Sequence, residues 1–267
     1  MLYTNTLKQN IYYEVKGNLT SPKTIVFLNG LTQSTLSWYF VIPFFEKDFK
    51  IVLMDFIFQG QSDKDGEWKN FDQHAEDLNG LLHELNINSP ILCGLSYGSL
   101  VAQHYAVNYQ NEVKQLVLLS TFAHKTPYFE AIELSWWNAL KTGGYNLLLD
   151  IMLPSVLSEE YFSHPIIPIE LMKESRKELN QNSNAIFNLM RATRERRDYR
   201  PDLAKITTRS LILHGEKDLL IPLHLGQEVH KNIANSNFEI IKGAGHTLNL
   251  ELVPIVCQRI LNFLNEA

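Results

Sequence analysis

Residues 92–100 read LCGLSYGSL and contain the pattern G-x-S-x-G. Ser96 stands between Gly94 and Gly98, after an apolar run typical of a buried strand and before a segment of helical periodicity. Glycine is favoured where backbone turns tightly or approaches other backbone closely. In this setting the pattern G-x-S-x-G predicts a strand, a strained turn that exposes the serine hydroxyl, and a helix. The alternative is that the glycines only separate two elements, since the pattern also occurs by chance.

Short apolar runs alternate with longer segments of helical periodicity along most of the chain. Several runs are apolar without strict alternation, which is typical of parallel strands covered on both faces. Strands that alternate with helices indicate an α/β fold, with a mostly parallel central sheet flanked by helices. The predicted strands occupy residues 24–30, 50–55, 90–94, 113–120, 210–215 and 238–243.

Three segments predict helices against this sheet. The first, residues 71–86, opens with Asp72 as a candidate N-cap and places its leucines on one side. The second directly follows Ser96, and the third closes the chain at residues 250–267.

Residues 121–204 contain no convincing strand and are rich in aromatic side chains. These aromatics are too many and too irregularly spaced for one amphipathic face, so we expect a helical cap inserted between two strands. The alternative is a larger helical layer of the same domain. The predicted organisation is a core of residues 1–120 and 205–267 with a cap at 121–204, placed where open α/β sheets bind ligands.

A serine hydroxyl is a weak nucleophile and needs a base that an acid orients. Among nine histidines, His246 is the candidate base, because it lies on a glycine-rich loop between a predicted strand and the last helix. Asp218 is the candidate acid, because it follows a strand, stands between Ser96 and His246 in the chain, and has apolar residues behind it. Glu216 is the rival acid, and we expect His214 to be a buried structural residue.

A developing oxyanion needs two hydrogen-bond donors. The candidates are the backbone N–H of Tyr97, directly after the serine, and that of Leu31, in the loop after the first predicted strand. Trp38, Trp136 and Trp137 are candidates for lining an acyl pocket, and we expect at least one of them to lie in the core instead.

With these residues the chain resembles the α/β-hydrolase superfamily. The segments FLNG, MDFIFQGQS, GLSYGS, HGEKDLLIP and GAGHTLNLE occur in the family's order and span nearly the whole chain. The resemblance implies the α/β-hydrolase fold, a nucleophile at Ser96, an acid at Asp218, a base at His246 and a helical cap over the pocket. A weaker similarity links the chain to the branch that moves hydroxyacyl groups between thioester carriers.

Two positions depart from the family pattern. Asn29 stands where members commonly have a histidine, and Ile57 and Phe58 stand where many have an arginine and a glycine. One interpretation is harmless change in a structural turn. The other is that a bulky, apolar loop borders the entrance to the pocket.

Composition limits the possible partners and compartments. A net charge of −5 argues against a general nucleic-acid binder. No apolar stretch reaches membrane-spanning length and the N-terminus lacks a signal-peptide pattern, so we expect no membrane span and a cytoplasmic location. Cys93 and Cys257 are expected to be buried reduced thiols, and no motif implies a cofactor or metal.

The segment RATRERRDYR, residues 191–200, contains five arginines. One interpretation is a solvated helix face with internal salt bridges. The other is a docking patch for an acidic acyl carrier or a phosphate-bearing thioester.

The sequence thus predicts a serine esterase or thioesterase with an apolar acyl substrate and an acyl-enzyme intermediate. One alternative is an acyltransferase, in which an alcohol or thiol replaces water in the second step. The other is a ligand-binding member of the fold with little turnover.

Overall fold

A computed structural model of the protein describes residues 1–5, 7–179 and 182–266. The eight strands are β1 (Leu2–Thr4), β2 (Asn10–Gly17), β3 (Thr24–Leu28), β4 (Lys50–Met54), β5 (Ile91–Leu95), β6 (Gln115–Leu119), β7 (Ser210–Gly215) and β8 (Ser236–Ile241). They form one sheet in the order β1-β2-β4-β3-β5-β6-β7-β8. β2 pairs antiparallel with β1 and β4, and the other neighbours are parallel. The predicted fold class is confirmed.

The prediction from sequence leaves out β1 and β2. β1 has three residues and is mostly exposed, and β2 alternates polar and apolar residues with only Ile11 and Tyr13 buried. β1 is the edge strand and β2 lies beside it, and neither carries the continuous apolar run that marks β3, β5 and β7.

Helices cover both faces of the sheet. They are α1 (Ile42–Phe45), α2 (Phe71–Glu84), α3 (Tyr97–Asn108), α4 (Pro127–Val156), α5 (Glu159–Ser163), α6 (Ile169–Leu179), α7 (Ser183–Glu195), α8 (Arg200–Leu203), α9 (Leu223–Asn232) and α10 (Val253–Asn265). Apolar residues of α2, α3 and α9 pack in one core cluster, and those of α1 and α10 pack in a second cluster.

The predicted N-cap of α2 at Asp72 is wrong. The cap is Asn70, whose side chain accepts a hydrogen bond from the N–H of Gln73 while the Gln73 side chain accepts from the N–H of Asn70. Asp72 instead accepts from His104 at 2.8 Å and from Asn108 at 2.9 Å. The hydrogen bond from His104 lowers the pKa of Asp72 to about 2.

Helices α4 to α8 fill the chain between β6 and β7, and the described residues of this segment include no strand. The long helix α4 is broken at Gly144, whose φ of 66° and ψ of −161° suit glycine almost alone. Apolar residues of α4 and α7 belong to the same core cluster as those of α2 and α3. The helical segment is therefore packed onto the face of the sheet that carries α3.

Because β3, β5, β6, β7 and β8 are parallel neighbours, their carboxyl ends share one edge of the sheet. The loops that leave this edge carry Leu31, Ser96, Asp218 and His246. This topology collects residues that are far apart in sequence.

Candidate active site

Ser96 is the single residue between β5 and α3. Its φ of 50° and ψ of −113° lie in a region that residues with a Cβ rarely adopt. Its N–H donates to the carbonyl of Leu119 at 2.9 Å, and its carbonyl accepts from the N–H groups of Ser99 and Leu100. The strained turn is thus held from both sides.

Close backbone contacts explain the two glycines around the serine. A Cβ on Gly94 would lie 2.6 Å from the backbone nitrogen of Ser99, and one on Gly98 would lie 2.8 Å from the carbonyl oxygen of Asn29. Backbone atoms cannot rotate away as a side chain can. The glycines are therefore required where β5, α3 and the end of β3 meet, and they do more than separate two elements.

The two candidate oxyanion donors line the same cavity as Ser96. Tyr97 is the first residue of α3, so its N–H has no intrahelical carbonyl to bind. Gln59 Nε2 donates to the carbonyls of Gly30, at 2.8 Å, and Leu31, at 3.1 Å. A trans peptide points its C=O and N–H in opposite directions. Holding the Gly30 carbonyl at Gln59 therefore turns the N–H of Leu31 away from Gln59.

The sequence patterns do not single out Gln59 as a functional residue. It is fully buried, and its Oε1 lies 3.3 Å from Asn29 Nδ2. Asn29 also donates to Asp55 Oδ1 at 3.0 Å and accepts from the Trp38 indole N–H at 2.9 Å. This network fixes the loop of Leu31. In the sequence it is marked by the amide side chain of Gln59 in the segment DFIFQGQS, where the chain departs from the family pattern.

The two apolar residues of that motif do not border the pocket. Ile57 and Phe58 are fully buried in the core and do not line the described cavity. Phe58 has a φ of 79°, at the position where the family pattern has glycine. The departure thus places a bulky side chain in the core while keeping a glycine-like backbone conformation.

Asp218 and His246 meet in a buried hydrogen bond. His246 Nδ1 lies 2.7 Å from Asp218 Oδ2. The other carboxylate oxygen, Oδ1, accepts from the N–H groups of Leu220 at 3.0 Å and Ile221 at 2.8 Å. The carboxylate is therefore fixed in position and directs one ring nitrogen of His246.

Glu216 and His214 make other contacts, although His214 Nε2 also lies 3.5 Å from Asp218 Oδ2. Glu216 is exposed and accepts from the N–H of Gly243 at 2.9 Å. His214 is fully buried, with its Nε2 2.8 Å from the carbonyl of Ile221, so it supports the loop of Asp218.

The second ring nitrogen of His246, Nε2, is buried and has no hydrogen-bond partner among the described residues. Ser96 and His246 line one cavity, and the Ser96 hydroxyl is not hydrogen-bonded to Nε2. Such contacts are often loose without substrate. The backbone carbonyl of His246 accepts from Ser120 Oγ at 2.7 Å, which anchors the loop to the end of β6.

The residues around His246 also bind the end of α4. The N–H and Oγ1 of Thr247 donate to the carbonyl of Val156 at 3.1 and 2.9 Å. Glu251 Oε2 accepts from the N–H groups of Gly245, at 3.1 Å, and Ser158, at 3.2 Å. Burial raises the pKa of Glu251 although these donors oppose the shift. The histidine loop is thus joined to the sheet edge and to the helical segment together.

The cavity above Ser96 encloses about 630 Å³ of space between atoms, and this volume includes solvent at its open side. Its wall is mostly apolar and draws on the sheet loops and on α3, α4 and α7. Trp136 lines it, whereas Trp38 is buried among Phe27 and Phe45, and Trp137 packs against Phe187. One of the three candidate tryptophans therefore lines the cavity, and Trp38 lies in the core as expected for at least one.

Each of the five arginines in residues 191–200 contacts another group of this chain. The contacts are Arg191 over Trp68, Arg194 over Trp137, Arg196 with Gln103, Arg197 with Asp202, and Arg200 with Asp198 and Glu228. Internal pairing therefore describes the segment better than a free docking patch does.

Arg196 differs from the predicted solvated face because it is buried. It donates to Gln103 Oε1 at 2.7 Å, His104 Nε2 at 3.2 Å and the carbonyl of Phe122 at 3.3 Å. Burial lowers its pKa to about 9. This guanidinium connects the end of α7 to α3.

Within residues 1–5, 7–179 and 182–266, no cluster of three or more His, Cys, Asp or Glu side chains is arranged to hold a metal ion. None of the helices in this described part is long and apolar enough to cross a bilayer.

Known proteins match this chain over most of its length. The family model for the alpha/beta hydrolase fold matches residues 23–251. "Uncharacterized hydrolase YugF" of Bacillus subtilis (strain 168) is 25% identical over 272 residues, covering 96% of this chain and 94% of the relative. "Putative non-heme chloroperoxidase" of Synechocystis sp. is 26% identical over 274 residues, covering 97% and 96%.

A solved structure agrees as well. The chain is similar to MGS-M2, an alpha/beta hydrolase enzyme from a Medee basin deep-sea metagenome library, with 28% identity and a TM-score of 0.90 over 100% of this chain and 98% of that one. The range matched by the family model contains β3 to β8 and the loops of Ser96, Asp218 and His246. The protein therefore belongs to the alpha/beta hydrolase fold family.

Proposed function

We propose that the protein is a serine hydrolase that cleaves a carboxylic ester or thioester with an apolar acyl part through an acyl-enzyme intermediate. The observation that carries this proposal is the 2.7 Å bond between His246 Nδ1 and Asp218 Oδ2, beside the cavity that Ser96 also lines. One side of the imidazole is oriented and Nε2 is left without a partner among the described residues. A base next to a nucleophile needs this arrangement.

In the proposed reaction the Ser96 hydroxyl attacks the carbonyl carbon while His246 Nε2 accepts its proton. The N–H groups of Leu31 and Tyr97 bind the resulting oxyanion. His246 then gives its proton to the leaving alcohol or thiol as the C–O or C–S bond breaks, and the acyl group stays on Ser96. Water cleaves this ester with His246 again as base, releasing the carboxylic acid. Asp218 accepts the hydrogen bond from His246 Nδ1 throughout and stabilises the imidazolium.

We also propose that residues 121–204 form a cap over a core of residues 1–120 and 205–267. The support is that Phe129 and Trp136 of α4 and Thr193 of α7 line the cavity together with Ser96. A cytoplasmic location stays a prediction.

Covalent labelling by a fluorophosphonate probe tests the nucleophile. We expect Ser96→Ala to abolish labelling, because the probe reacts with an activated serine. Ser99→Ala is the matched control: the Ser99 hydroxyl lies in the same turn but is used in bonds to the Ser96 carbonyl and to Thr121 Oγ1, at 2.6 and 2.8 Å. Undiminished labelling of the Ser96→Ala protein would refute the proposal.

Acyl transfer is the second candidate, favoured by the apolar wall that Phe122, Phe129 and Trp136 give to the cavity. A dry site protects the acyl-enzyme from water. The internally paired arginines of residues 191–200 give no support to an acidic carrier as acceptor. Product analysis with an added alcohol or thiol separates the two reactions, since transfer yields a new ester or thioester and hydrolysis yields the acid.

A further inference from the structure

The apolar wall of the cavity contains an acidic side chain that the proposed reaction does not use. Glu133 lies on α4 between Phe129 and Trp136, and spacings of four and three residues put all three on one face of the helix. All three line the cavity that holds Ser96 and His246. Glu133 is only 6% exposed, and it makes no hydrogen bond to the described residues. A buried carboxyl without a partner is costly unless a ligand supplies one.

Trp136 adds an unpaired donor one turn away. Its ring is 3% exposed, and its indole N–H is buried without a hydrogen-bond partner among the described residues. Buried tryptophan N–H groups usually find an acceptor. An acceptor and a donor therefore occur together in a wall that is otherwise apolar.

The charges near Glu133 limit what it can bind. Burial raises the pKa of Glu133 to about 7, Arg194 and Lys125 oppose that shift, and Glu130 adds to it. A ligand ammonium group would bind Glu133 but would leave the Trp136 N–H unpaired and would be repelled by Arg194 and Lys125. A ligand carboxylate would add a second negative charge beside Glu133 wherever Glu133 is ionised, with only Arg194 and Lys125 to offset the repulsion, and it has no proton to donate to an ionised carboxylate. A neutral hydroxyl satisfies both groups, since it donates to the carboxylate and accepts from the indole.

We propose that Glu133 and Trp136 form a polar subsite that selects substrates with a hydroxyl group remote from the scissile carbonyl. The proposal rests on the proposed function and narrows its substrate class to hydroxyl-bearing esters or thioesters. The hydroxyl donates to a Glu133 oxygen and accepts from Trp136 Nε1, and the chain between it and the carbonyl lies against the apolar wall.

The test compares p-nitrophenyl esters of ω-hydroxy, ω-amino and unsubstituted alkanoic acids with six to ten carbons. For at least one chain length, we expect kcat/KM for the hydroxy ester to exceed that for the unsubstituted ester by at least about tenfold. Glu133→Leu removes the preference, Glu133→Gln retains part of it, and Trp136→Phe reduces it. Glu130→Leu, on the exposed side of the same helix, is the matched control and leaves it unchanged.

Hydrolysis without preference at any length, preference for the amino ester, or a preference that survives in Glu133→Leu would each overturn the subsite. A binding measurement keeps the test separate from the proposed function. By calorimetry, 1,8-octanediol is expected to bind the wild type more tightly than 1-octanol, with no difference in Glu133→Leu. If no ester is turned over, the proposed function fails, but the diol comparison still tests the subsite. Equal binding of the diol and the alcohol would then refute the subsite.

Discussion

The two carboxylate oxygens of Asp218 have different roles: one binds the backbone of its own loop, and the other binds the candidate base. Oδ1 accepts from the N–H groups of Leu220 and Ile221, and Oδ2 from His246 Nδ1. The backbone bonds hold the carboxylate against rotation, so the remaining oxygen stays directed at the imidazole of His246. Chain order and the apolar flank indicate Asp218 from sequence. Which oxygen binds the backbone and which binds His246 depends on the shape of the turn after β7. No local sequence pattern predicts that shape.

Asp218→Asn tests this orientation. We expect its amide oxygen to keep the bonds to Leu220 and Ile221, so that its NH₂ group faces His246 Nδ1. The imidazole then carries its proton on Nε2, the atom that must accept one from Ser96. We expect kcat for a p-nitrophenyl ester to fall by about 10⁴-fold, with a thermal midpoint close to that of the wild type.

Glu216→Gln is the control for that substitution. Glu216 lies two residues away on the same loop but binds the N–H of Gly243. We expect its kcat to stay near the wild-type value. If Glu216→Gln lost as much activity as Asp218→Asn, the acid would be assigned wrongly.

At the scale of elements, the junction of β5 with α3 depends on two glycines, because a side chain at either position would collide with backbone. Strand, turn and helix follow one another without a linker, and α3 crosses close to the end of β3. The glycines on either side of Ser96 allow that approach, and the strained backbone of Ser96 is its result. The strain is retained because bonds to β6 and within α3 hold the turn.

Gly98→Ala measures how strict this junction is. Its Cβ would overlap the carbonyls of Leu28 and Asn29, which belong to the end of β3 and cannot move separately from the sheet. We expect the free energy of unfolding to fall by more than about 3 kcal/mol, as measured by urea denaturation.

Gly243→Ala is the matched comparison. Gly243 has a φ of 79°, but a Cβ there meets nothing within 4 Å. Only backbone strain of about 1–2 kcal/mol is then expected. Similar losses for the two variants would mean that the close approach at Gly98 is not what the residue is needed for.

The central strands and the main flanking helices were predictable because their signals are local. Continuous apolar runs indicate β3 to β7, and a strand–glycine–serine–glycine–helix order indicates the turn at Ser96. β2 was not predictable, since this strand buries only Ile11 and Tyr13 and so lacks a continuous apolar run. Neither was the bond from Gln59 to the loop of Leu31, or the subsite at Glu133, because each depends on contacts between segments distant in the chain.

At the scale of the whole molecule, Arg196 connects parts that the chain order separates. Its guanidinium reaches Gln103 and His104 on α3 and the carbonyls of Phe122 and Ala123 after β6. It also packs over Tyr199. The last helices of residues 121–204 are thereby joined to the face of the sheet below the candidate site.

Arg196→Met removes this connection and leaves a shorter, apolar side chain in its place. The neutral acceptors that the guanidinium satisfied are then buried without that donor, so we expect the free energy of unfolding to fall by about 1–3 kcal/mol. Denaturation in urea measures the loss. Arg194→Met, where the exposed guanidinium lies over Trp137, is expected to cost under about 1 kcal/mol; equal losses would contradict the role given to Arg196.

The loop of His246 is hydrogen-bonded to the helical segment as well as to the sheet. One carboxylate, that of Glu251, binds the N–H beside the histidine and the N–H that follows α4, and Thr247 binds the carbonyl at the end of α4. The end of α4 is therefore hydrogen-bonded to the loop that carries the imidazole. Because Ser120 and Asp218 hold the same loop and its imidazole at the sheet edge, any displacement of the end of α4 would have to break its bonds to Thr247 and Glu251 or disturb the position of the proposed base.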